Sequence, residues 1–148
     1  MIEFSLIGAA LVAITVAIHA WGTTGWLRYL AARHVVGDES WTTKRSLIIL
    51  TLTVLVLIAL HTIQISIWAI AYLSLVSVEE LETFESALYF SFITFTTLGY
   101  GDITLAAPWR VLSGIEALNG IMLVGWTTAF LFAVVQRTWK GLAEQQND

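Results

Sequence analysis

The sequence contains no cysteine, a single proline and few charged residues. Without cysteine the chain forms no disulfide and no thiolate-ligated metal site. Charged residues are only 12% of its 148 residues, about half the fraction that is usual in soluble domains. The net charge is a modest −4, and the lack of a basic block argues against nucleic acid as a partner. These deficits point away from soluble and disulfide-stabilised classes.

The sequence is instead rich in long apolar stretches. Hydrophobic residues make up 57% of the chain, and the mean hydropathy is +0.79. A membrane-spanning helix needs about 20 mostly apolar residues. Three stretches meet that length, at about residues 4–30, 46–75 and 110–135. The first is interpreted as a span and not a signal peptide, because it has no basic leading region and its apolar run is too long.

A fourth apolar stretch, FESALYFSFITF at residues 84–95, is too short to cross a bilayer. A helix of that length reaches about 18 Å, roughly half of the ~30 Å hydrocarbon core. We therefore expect a re-entrant half-helix. The predicted fold class is an all-α membrane protein with three transmembrane helices, a re-entrant pore helix and the segment that follows it.

The basic residues predict the orientation of the spans. Four lie between the first two spans and two follow the third, whereas one falls on the opposite side. By the positive-inside rule, the first loop and the C-terminus are cytoplasmic and the N-terminus is outside. The outer loop before the half-helix is acidic. The four basic residues between the first two spans are Arg28, Arg33, Lys44 and Arg45, the two after the third span are Arg137 and Lys140, and the one on the opposite side is Arg110. The acidic residues of the outer loop are Glu79, Glu80, Glu82 and Glu85.

The stretch TTLGYGD, residues 96–102, follows the half-helix directly. Non-helical backbone at membrane depth is tolerated only when it is buried in protein or lines a wet cavity. Glycine at alternate positions permits alternating signs of φ, so that the carbonyls of residues 97–100 can all face one axis. Several chains around that axis would form stacked rings of oxygens. Such rings replace the hydration shell of an alkali cation.

The hexamer Thr97-Leu98-Gly99-Tyr100-Gly101-Asp102 resembles the selectivity filter of potassium channels, usually written T-V-G-Y-G-D; Leu98 in place of Val is the one departure. The resemblance covers about residues 45–137. It implies a small bacterial-type member of the potassium channel pore family with an extra N-terminal transmembrane helix. Such a protein is a homotetramer in the cell membrane, is no enzyme, and has no organic cofactor. K⁺ would be bound at Thr97, Leu98, Gly99 and Tyr100, with Gly101 at the outer mouth.

The resemblance also divides the chain and assigns supporting roles. It implies an extra helix and cytoplasmic loop at 1–43, a pore domain at 44–138 and a short cytoplasmic tail at 139–148. Asp102 would hydrogen-bond behind the filter. Family members usually carry a Trp pair on the pore helix, where this chain has Tyr89-Phe90, and Tyr89 still offers a donor to Asp102. The altered aromatic pair leaves a weakly selective cation channel open as an alternative. A non-conducting regulatory subunit that kept a pore-like loop is a further alternative.

The third span carries candidate gating and cavity residues. Aligned with the family's inner helix, Gly120 falls at the usual hinge position. Gly125 is a second hinge candidate, for which close helix packing is the favoured interpretation. Val124 and Thr128 are expected to face the cavity below the filter, and Phe132 to narrow the lower pore.

Glu116 is an acid within the third span, and intramembrane acids suggest function. It shares a helix face with Gly120. We expect it to bond Ser91 or Thr94 behind the filter; a protonated glutamate satisfied by any nearby hydroxyl is the equal alternative. Asn119 is expected to bond another helix.

The first two spans carry few polar residues. His61 and Gln64 are interpreted as structural hydrogen-bonding groups, and His19 as a packed or interfacial histidine. The stripe of Ala9, Ala13 and Ala17 predicts close docking of the first span on the second span, either of its own chain or of a neighbouring one. The span interiors carry too few basic residues for a voltage sensor, and the short tail argues against a tethered cytoplasmic ligand domain. The expected interfacial anchors are Trp21, Trp26, Trp41, Trp109 and Trp139.

Overall fold

The computed structural model describes residues 2–34, 42–75, 81–107 and 109–145, which form four helices and no strand. The helices are α1 (Ile2–His34), α2 (Thr43–Leu75), α3 (Phe84–Phe95) and α4 (Arg110–Gln145). All but α3 are long and apolar enough to cross a membrane. The predicted fold class of three spans and one short helix is confirmed, although α1 and α4 extend several residues beyond the predicted spans. The predictions for Trp41, Glu79 and Glu80 lie outside the described residues.

The re-entrant path of the chain follows from how α2 and α4 pair. Tyr72, near the end of α2, bonds Glu116, near the start of α4. His61, three turns earlier on α2, contacts Thr127 further along α4. The two helices are therefore antiparallel, and the end of α2 and the start of α4 lie on the same side. The segment between them, including α3, leaves from and returns to that side, as the length of α3 predicts.

Helix α1 packs against both α2 and α4 of its own chain. Its Gly22 lies against Leu60, and the Trp26 indole donates to Thr53 at 2.9 Å, so α1 is antiparallel to α2. Gly8 lies against Ile115 near the start of α4. The order of the contacts along α4 makes α1 and α4 parallel. The extra helix is thus part of the same bundle as the pore-like segment.

The face by which α1 docks differs from the predicted one. Ala9, Ala13 and Ala17 are exposed, and the buried polar side chains of α1 are Thr15, His19 and Thr23. The alanine stripe therefore does not dock on α2 of its own chain, and docking on α2 of a neighbouring chain stays a prediction. Polar groups within a membrane need hydrogen-bonding partners, and only the polar face of α1 can reach those on α2 and α4.

Helix α3 has clear start and stop signals. Thr83 has extended backbone and its side chain accepts a hydrogen bond from the Ser86 N–H at 3.1 Å, as an N-cap does. Glu85 lies in the first turn, where negative charge suits the helix dipole. The helix ends at Thr96, immediately before the glycine-rich segment. The carbonyl end of α3 therefore points towards that segment.

The buried core joins α3 to α2 and α4. Phe90 of α3 meets Tyr72 of α2 edge-to-face, with ring centroids 5.1 Å apart. Large aliphatic side chains elsewhere remain exposed, as expected for helices surrounded by lipid or by further copies. The core cluster comprises Ile65, Trp68, Tyr72, Leu81, Phe90, Phe95, Leu105, Leu112 and Leu123.

Candidate functional site

The backbone of residues 97–101, here called the filter segment, has positive φ at every second residue. The values are +60° at Thr97, +53° at Gly99 and +80° at Gly101. Glycine adopts such angles at little cost, whereas a β-branched residue with positive φ is an outlier. The alternation is the backbone pattern that turns successive carbonyls towards one side. The glycine spacing predicted it at two positions; at Thr97 no residue preference indicates it.

Two backbone hydrogen bonds hold the strained start of the filter segment. The Thr97 N–H donates to Thr94 O at 2.9 Å, and the Gly99 N–H donates to Ile93 O at 3.1 Å. Both acceptors belong to the last turn of α3, whose carbonyls have no partners within the helix. The end of α3 therefore organises the segment that follows it.

The filter segment lies at the surface of the single chain. Leu98 is 59% exposed and Tyr100 is 69% exposed. On another side, the segment borders a groove of about 480 Å³ between α3 and the start of α4, lined in part by Thr94, Ser113 and Gly114. Non-helical backbone of this kind needs protein or water around it at membrane depth. The single chain leaves part of that environment open.

Tyr89 and Asp102 connect the outside of α3 to the residue after the filter segment. The Tyr89 hydroxyl donates to Asp102 Oδ2 at 2.7 Å, which is the predicted contact. This bond, more than any other contact, holds the pKa of Asp102 below its usual value. The pair spans the filter segment from behind.

Glu116 is fully buried between α2, α3 and α4. Its carboxyl group contacts the Ser91 hydroxyl, which is one of the two predicted partners. The Tyr72 hydroxyl donates to its other oxygen at 2.7 Å, a partner that the sequence did not indicate. The contact with Thr94 does not form. Glu116 of α4 therefore bridges α2 and α3.

The single hydroxyl hydrogen of Ser91 limits which hydrogen bonds can form around Glu116. Its hydroxyl has one hydrogen and lies within bonding distance of both Glu116 and the Ile65 carbonyl, the latter at 3.0 Å. Both contacts are hydrogen bonds at once when Glu116 carries a proton and donates to Ser91 Oγ. A neutral carboxyl also avoids the cost of an unpaired charge within the membrane.

Gly120 is where α4 approaches the end of α3. A Cβ added there would lie 1.9 Å from the Phe95 carbonyl oxygen, far inside van der Waals contact. Glycine is needed at this crossing because the facing atoms are backbone and cannot rotate away. The family resemblance implies a hinge at Gly120; the structure gives the residue a packing role, and its hinge role is not tested.

At Gly125 the expected close packing is absent. No described atom lies within 4 Å of a Cβ added there, so the packing interpretation is wrong for the single chain. Helix α4 runs without a break through both glycines. The sequence around the two glycines therefore does not show that Gly120 lies at a close contact between helices and that Gly125 does not.

The three cavity candidates share one exposed stripe of α4. Val124 is 43% exposed and Phe132 is 62% exposed. The Thr128 hydroxyl donates to the Val124 carbonyl at 2.9 Å, within the helix. This placement leaves the stripe free to face a shared axis.

A set of polar side chains joins α1, α2 and α4 on the other side of the bundle. His61 contacts both Gln64 and Thr127, and His19 contacts the same two residues. Asn119 donates to the Thr15 hydroxyl at 2.8 Å, which confirms it as an interhelical bonding group. His61 and Gln64 thus make interhelical hydrogen bonds, as predicted, and His19 is packed within the bundle. Their closed arrangement was not anticipated, since helical spacing gives no hint of it.

The comparisons with known proteins agree with this geometry. A protein-family model described as "Ion channel" matches residues 49–137, which include most of α2, all of α3, the filter segment and most of α4. No curated protein matches the chain, and no solved structure does either. The matched region is more than half of the chain and leaves α1 outside it.

Proposed function

The chain belongs to this ion channel family, and from that premise we propose that it is a passive, potassium-selective channel working as a homotetramer in the cell membrane. K⁺ is the cargo. It would lose its water and be held by carbonyl oxygens of the filter segment, with Thr97 adding its hydroxyl at the inner end. The observation that carries the proposal is the alternation of positive φ at residues 97, 99 and 101.

A tetramer is proposed because one chain supplies one filter segment. Rings of oxygens require several copies around an axis, and closed rotational symmetry is the usual form of such an assembly. The exposure of Leu98 and Tyr100 and the exposed stripe of Val124 and Phe132 leave room for neighbouring copies and a shared cavity. Together these surfaces fit a pore that is completed only by assembly.

The proposed orientation follows the charges. The filter segment would face outward, with the loop after α1 and the C-terminal tail in the cytoplasm. The carbonyl end of α3 would point to the central cavity, where its negative dipole end favours a cation. Passive conduction along this path needs no covalent chemistry, so we propose no enzymatic step.

A weakly selective cation channel is the second candidate. The observation that favours it is the Tyr89-Phe90 pair: Tyr89 donates to Asp102, whereas Phe90 packs on Tyr72 and has no hydrogen-bond donor. A filter with a single aromatic donor behind it would hold its carbonyl spacing less tightly. Weaker spacing would reduce discrimination between K⁺ and Na⁺.

The test is ion flux through the purified full chain in liposomes, with K⁺ and Na⁺ measured separately. Gly99→Ala is expected to reduce K⁺ flux about tenfold or more, since a left-handed conformation costs a residue with a side chain about 1–3 kcal/mol. Gly25→Ala is the matched control. It lies on α1 with no described atom within 4 Å of the added Cβ, and its flux should equal that of the unmodified chain.

Each result has a clear meaning. K⁺ flux well above Na⁺ flux, lost only with Gly99→Ala, supports the potassium channel. Equal fluxes of the two ions favour the weakly selective channel. A folded assembly that passes neither ion in any variant contradicts both and favours a non-conducting subunit.

A further inference from the structure

Four side chains from three helices form a closed circuit of hydrogen bonds inside the bundle. They are His19 of α1, His61 and Gln64 of α2, and Thr127 of α4, called the quartet below. His61 Nδ1 lies 3.1 Å from Gln64 Oε1, and His61 Nε2 lies 2.8 Å from Thr127 Oγ1. His19 Nδ1 lies 3.1 Å from Gln64 Nε2, and His19 Nε2 lies 3.4 Å from Thr127 Oγ1. Every polar atom of both imidazoles is therefore engaged.

The orientation of Gln64 settles where the hydrogens lie. Its Nε2 also lies 3.2 Å from the Thr15 carbonyl, which only accepts. The amide nitrogen must therefore face Thr15 and His19, and the amide oxygen must face His61. It follows that His19 accepts at Nδ1 and that His61 donates from Nδ1.

The remaining two contacts then follow. A neutral His19 that accepts at Nδ1 carries its hydrogen on Nε2, and it donates that hydrogen to Thr127. A neutral His61 that donates from Nδ1 accepts at Nε2, from the Thr127 hydroxyl. The quartet thus holds four hydrogens in four contacts. The two histidines are opposite tautomers, and both are neutral.

A fifth hydrogen disrupts this circuit at one of its two possible positions. On His19 Nδ1 it would face the Gln64 amide hydrogens and break a bond between α1 and α2. On His61 Nε2 it would only reverse the contact with Thr127, whose hydroxyl oxygen can accept from both imidazoles, so the disruptive position is His19 Nδ1. Either position also places a positive charge in a membrane span, which is costly without a partner.

No described residue in contact with the quartet offers a compensating charge. The two imidazoles are each other's titratable neighbour, with ring centroids 5.3 Å apart. The other groups that contact the two imidazoles or Gln64 are uncharged. They are Gln64 from α2, Thr127 and Trp126 from α4, Phe95 from α3 and the Thr15 carbonyl from α1.

The quartet adjoins elements of the proposed pore at two places. On α4, Thr127 directly precedes Thr128, which lies on the exposed stripe described above. The His61 imidazole packs edge-on against Phe95, with centroids 5.8 Å apart, and Phe95 is the last residue of α3. A lost contact in the quartet therefore alters packing next to both the inner helix and the pore helix.

We propose that the quartet is a proton-operated latch, which holds α1 against α2 and α4 while both histidines are neutral and loosens the bond between α1 and α2 when His19 gains a proton. The regulated quantity is the flux through the filter segment, so this proposal rests on the proposed function. It assigns the extra N-terminal helix a regulatory role that the family match, which begins at residue 49, does not cover.

The first test is K⁺ flux in liposomes as a function of pH, from about pH 7.5 to about pH 4, because burial without a partner charge moves the response below the range in which exposed histidines change charge. We expect the unmodified chain to change its flux at least about threefold across this range. The double variant His19→Asn/His61→Gln has no titrating group in the quartet, and its profile should be flat. Thr127→Val removes both hydroxyl contacts and should flatten the profile as well.

Two matched controls separate the latch from general effects. His34, the third histidine of the sequence, ends α1, and His34→Asn should keep the unmodified profile. Thr62 neighbours His61 but donates only within α2, to the Ile58 carbonyl, so Thr62→Val should also keep it. A double variant that retains the full pH response, or an unmodified chain without one, overturns the proposal.

A second readout does not depend on conduction. The melting temperature in detergent should fall more on acidification for the unmodified chain than for His19→Asn/His61→Gln, because only the former can gain the disruptive proton. An equal decrease in melting temperature for the unmodified chain and the double variant contradicts the latch. If no variant conducts but this difference in melting temperature is present, the proposed function fails while the latch stands.

Discussion

At the scale of single residues, the filter segment depends on a few contacts from α3. The last-turn carbonyls of Ile93 and Thr94 bind the backbone of the segment, and the Tyr89 hydroxyl binds Asp102 just after it. These bonds fix both ends of a backbone that includes the strained Thr97. A loss at either end should loosen the carbonyl spacing on which selectivity depends.

The bond between Tyr89 and Asp102 predicts how acid affects the filter. Because Tyr89 lowers the pKa of Asp102, the bonded carboxylate contributes stability above the ordinary aspartate pKa. That contribution is lost as the pH falls through the lowered value. In Tyr89→Phe the pKa of Asp102 should return towards its ordinary value, so that K⁺ selectivity is lost at a higher pH than in the unmodified chain.

The measurement is the ratio of K⁺ to Na⁺ flux as the pH is lowered, beside an NMR titration of the Asp102 carboxyl group. Tyr29→Phe is the control, since Tyr29 stacks on Trp26 of α1, distant from the filter segment. An identical acid midpoint in Tyr89→Phe and in the unmodified chain would show that the bond does not set the protonation of Asp102.

At the scale of helices, the bundle depends on where small and polar residues meet. Glu116 joins α4 to α2 and α3 through Tyr72 and Ser91, and Gly120 lets α4 touch the backbone end of α3. Close approach through glycine and hydrogen bonding between helices are the usual sources of stability in membrane bundles. Both lie within one turn of α4, directly behind the filter segment.

The crossing at Gly120 predicts a large effect of one methyl group. In Gly120→Ala the Cβ would overlap the Phe95 carbonyl, so α3 must shift and the filter segment with it. We expect a loss of about 1–3 kcal/mol in the free energy of unfolding, as for other overpacked sites, together with reduced K⁺ flux. Chemical unfolding in detergent measures the first quantity and liposome flux the second.

Gly25→Ala is the matched substitution on an open helix position. Alanine there should leave stability unchanged or raise it slightly, because glycine within a helix is destabilising relative to alanine. If Gly120→Ala unfolds at the same denaturant concentration as Gly25→Ala, the close crossing of α4 and α3 does not exist in the assembled protein.

At the scale of the whole molecule, the single chain exposes the surfaces that a tetramer would cover. Any ion that binds only the assembled filter stabilises it by mass action, by about 2.7 kcal/mol at a hundred times its dissociation constant. We therefore expect the tetramer to melt at a higher temperature in K⁺ than in Na⁺ at equal ionic strength. The measurement is thermal dissociation followed by size-exclusion chromatography.

Gly99→Ala tests whether this stabilisation arises at the filter segment. Its tetramer should show no difference between K⁺ and Na⁺, while Gly25→Ala should keep the full difference. A K⁺ effect of equal size in Gly99→Ala would place the stabilising ion elsewhere in the protein.

The sequence by itself determined the spans, the half-helix and the filter motif. Their signals are local: an apolar run long enough to cross a bilayer, a run too short to do so, and glycines at alternate positions. The bond of Glu116 with Ser91 was also predicted, because an acid within the membrane needs a donor, and the bond of Tyr89 with Asp102 was implied by the resemblance to potassium channels. These features depend on chain length and neighbouring residues, which a sequence displays directly.

Only the tertiary structure decided how α1 packs and what it joins. Within the chain, α1 docks by its polar face and not by the alanine stripe, because His19 and Thr15 meet partners on two other helices, which the sequence does not reveal. The positive φ of Thr97 comes from the end of α3 and not from its own preference. The closure of the quartet depends on the relative rotation of three helices, a property that arises from their packing and that no spacing within one helix encodes.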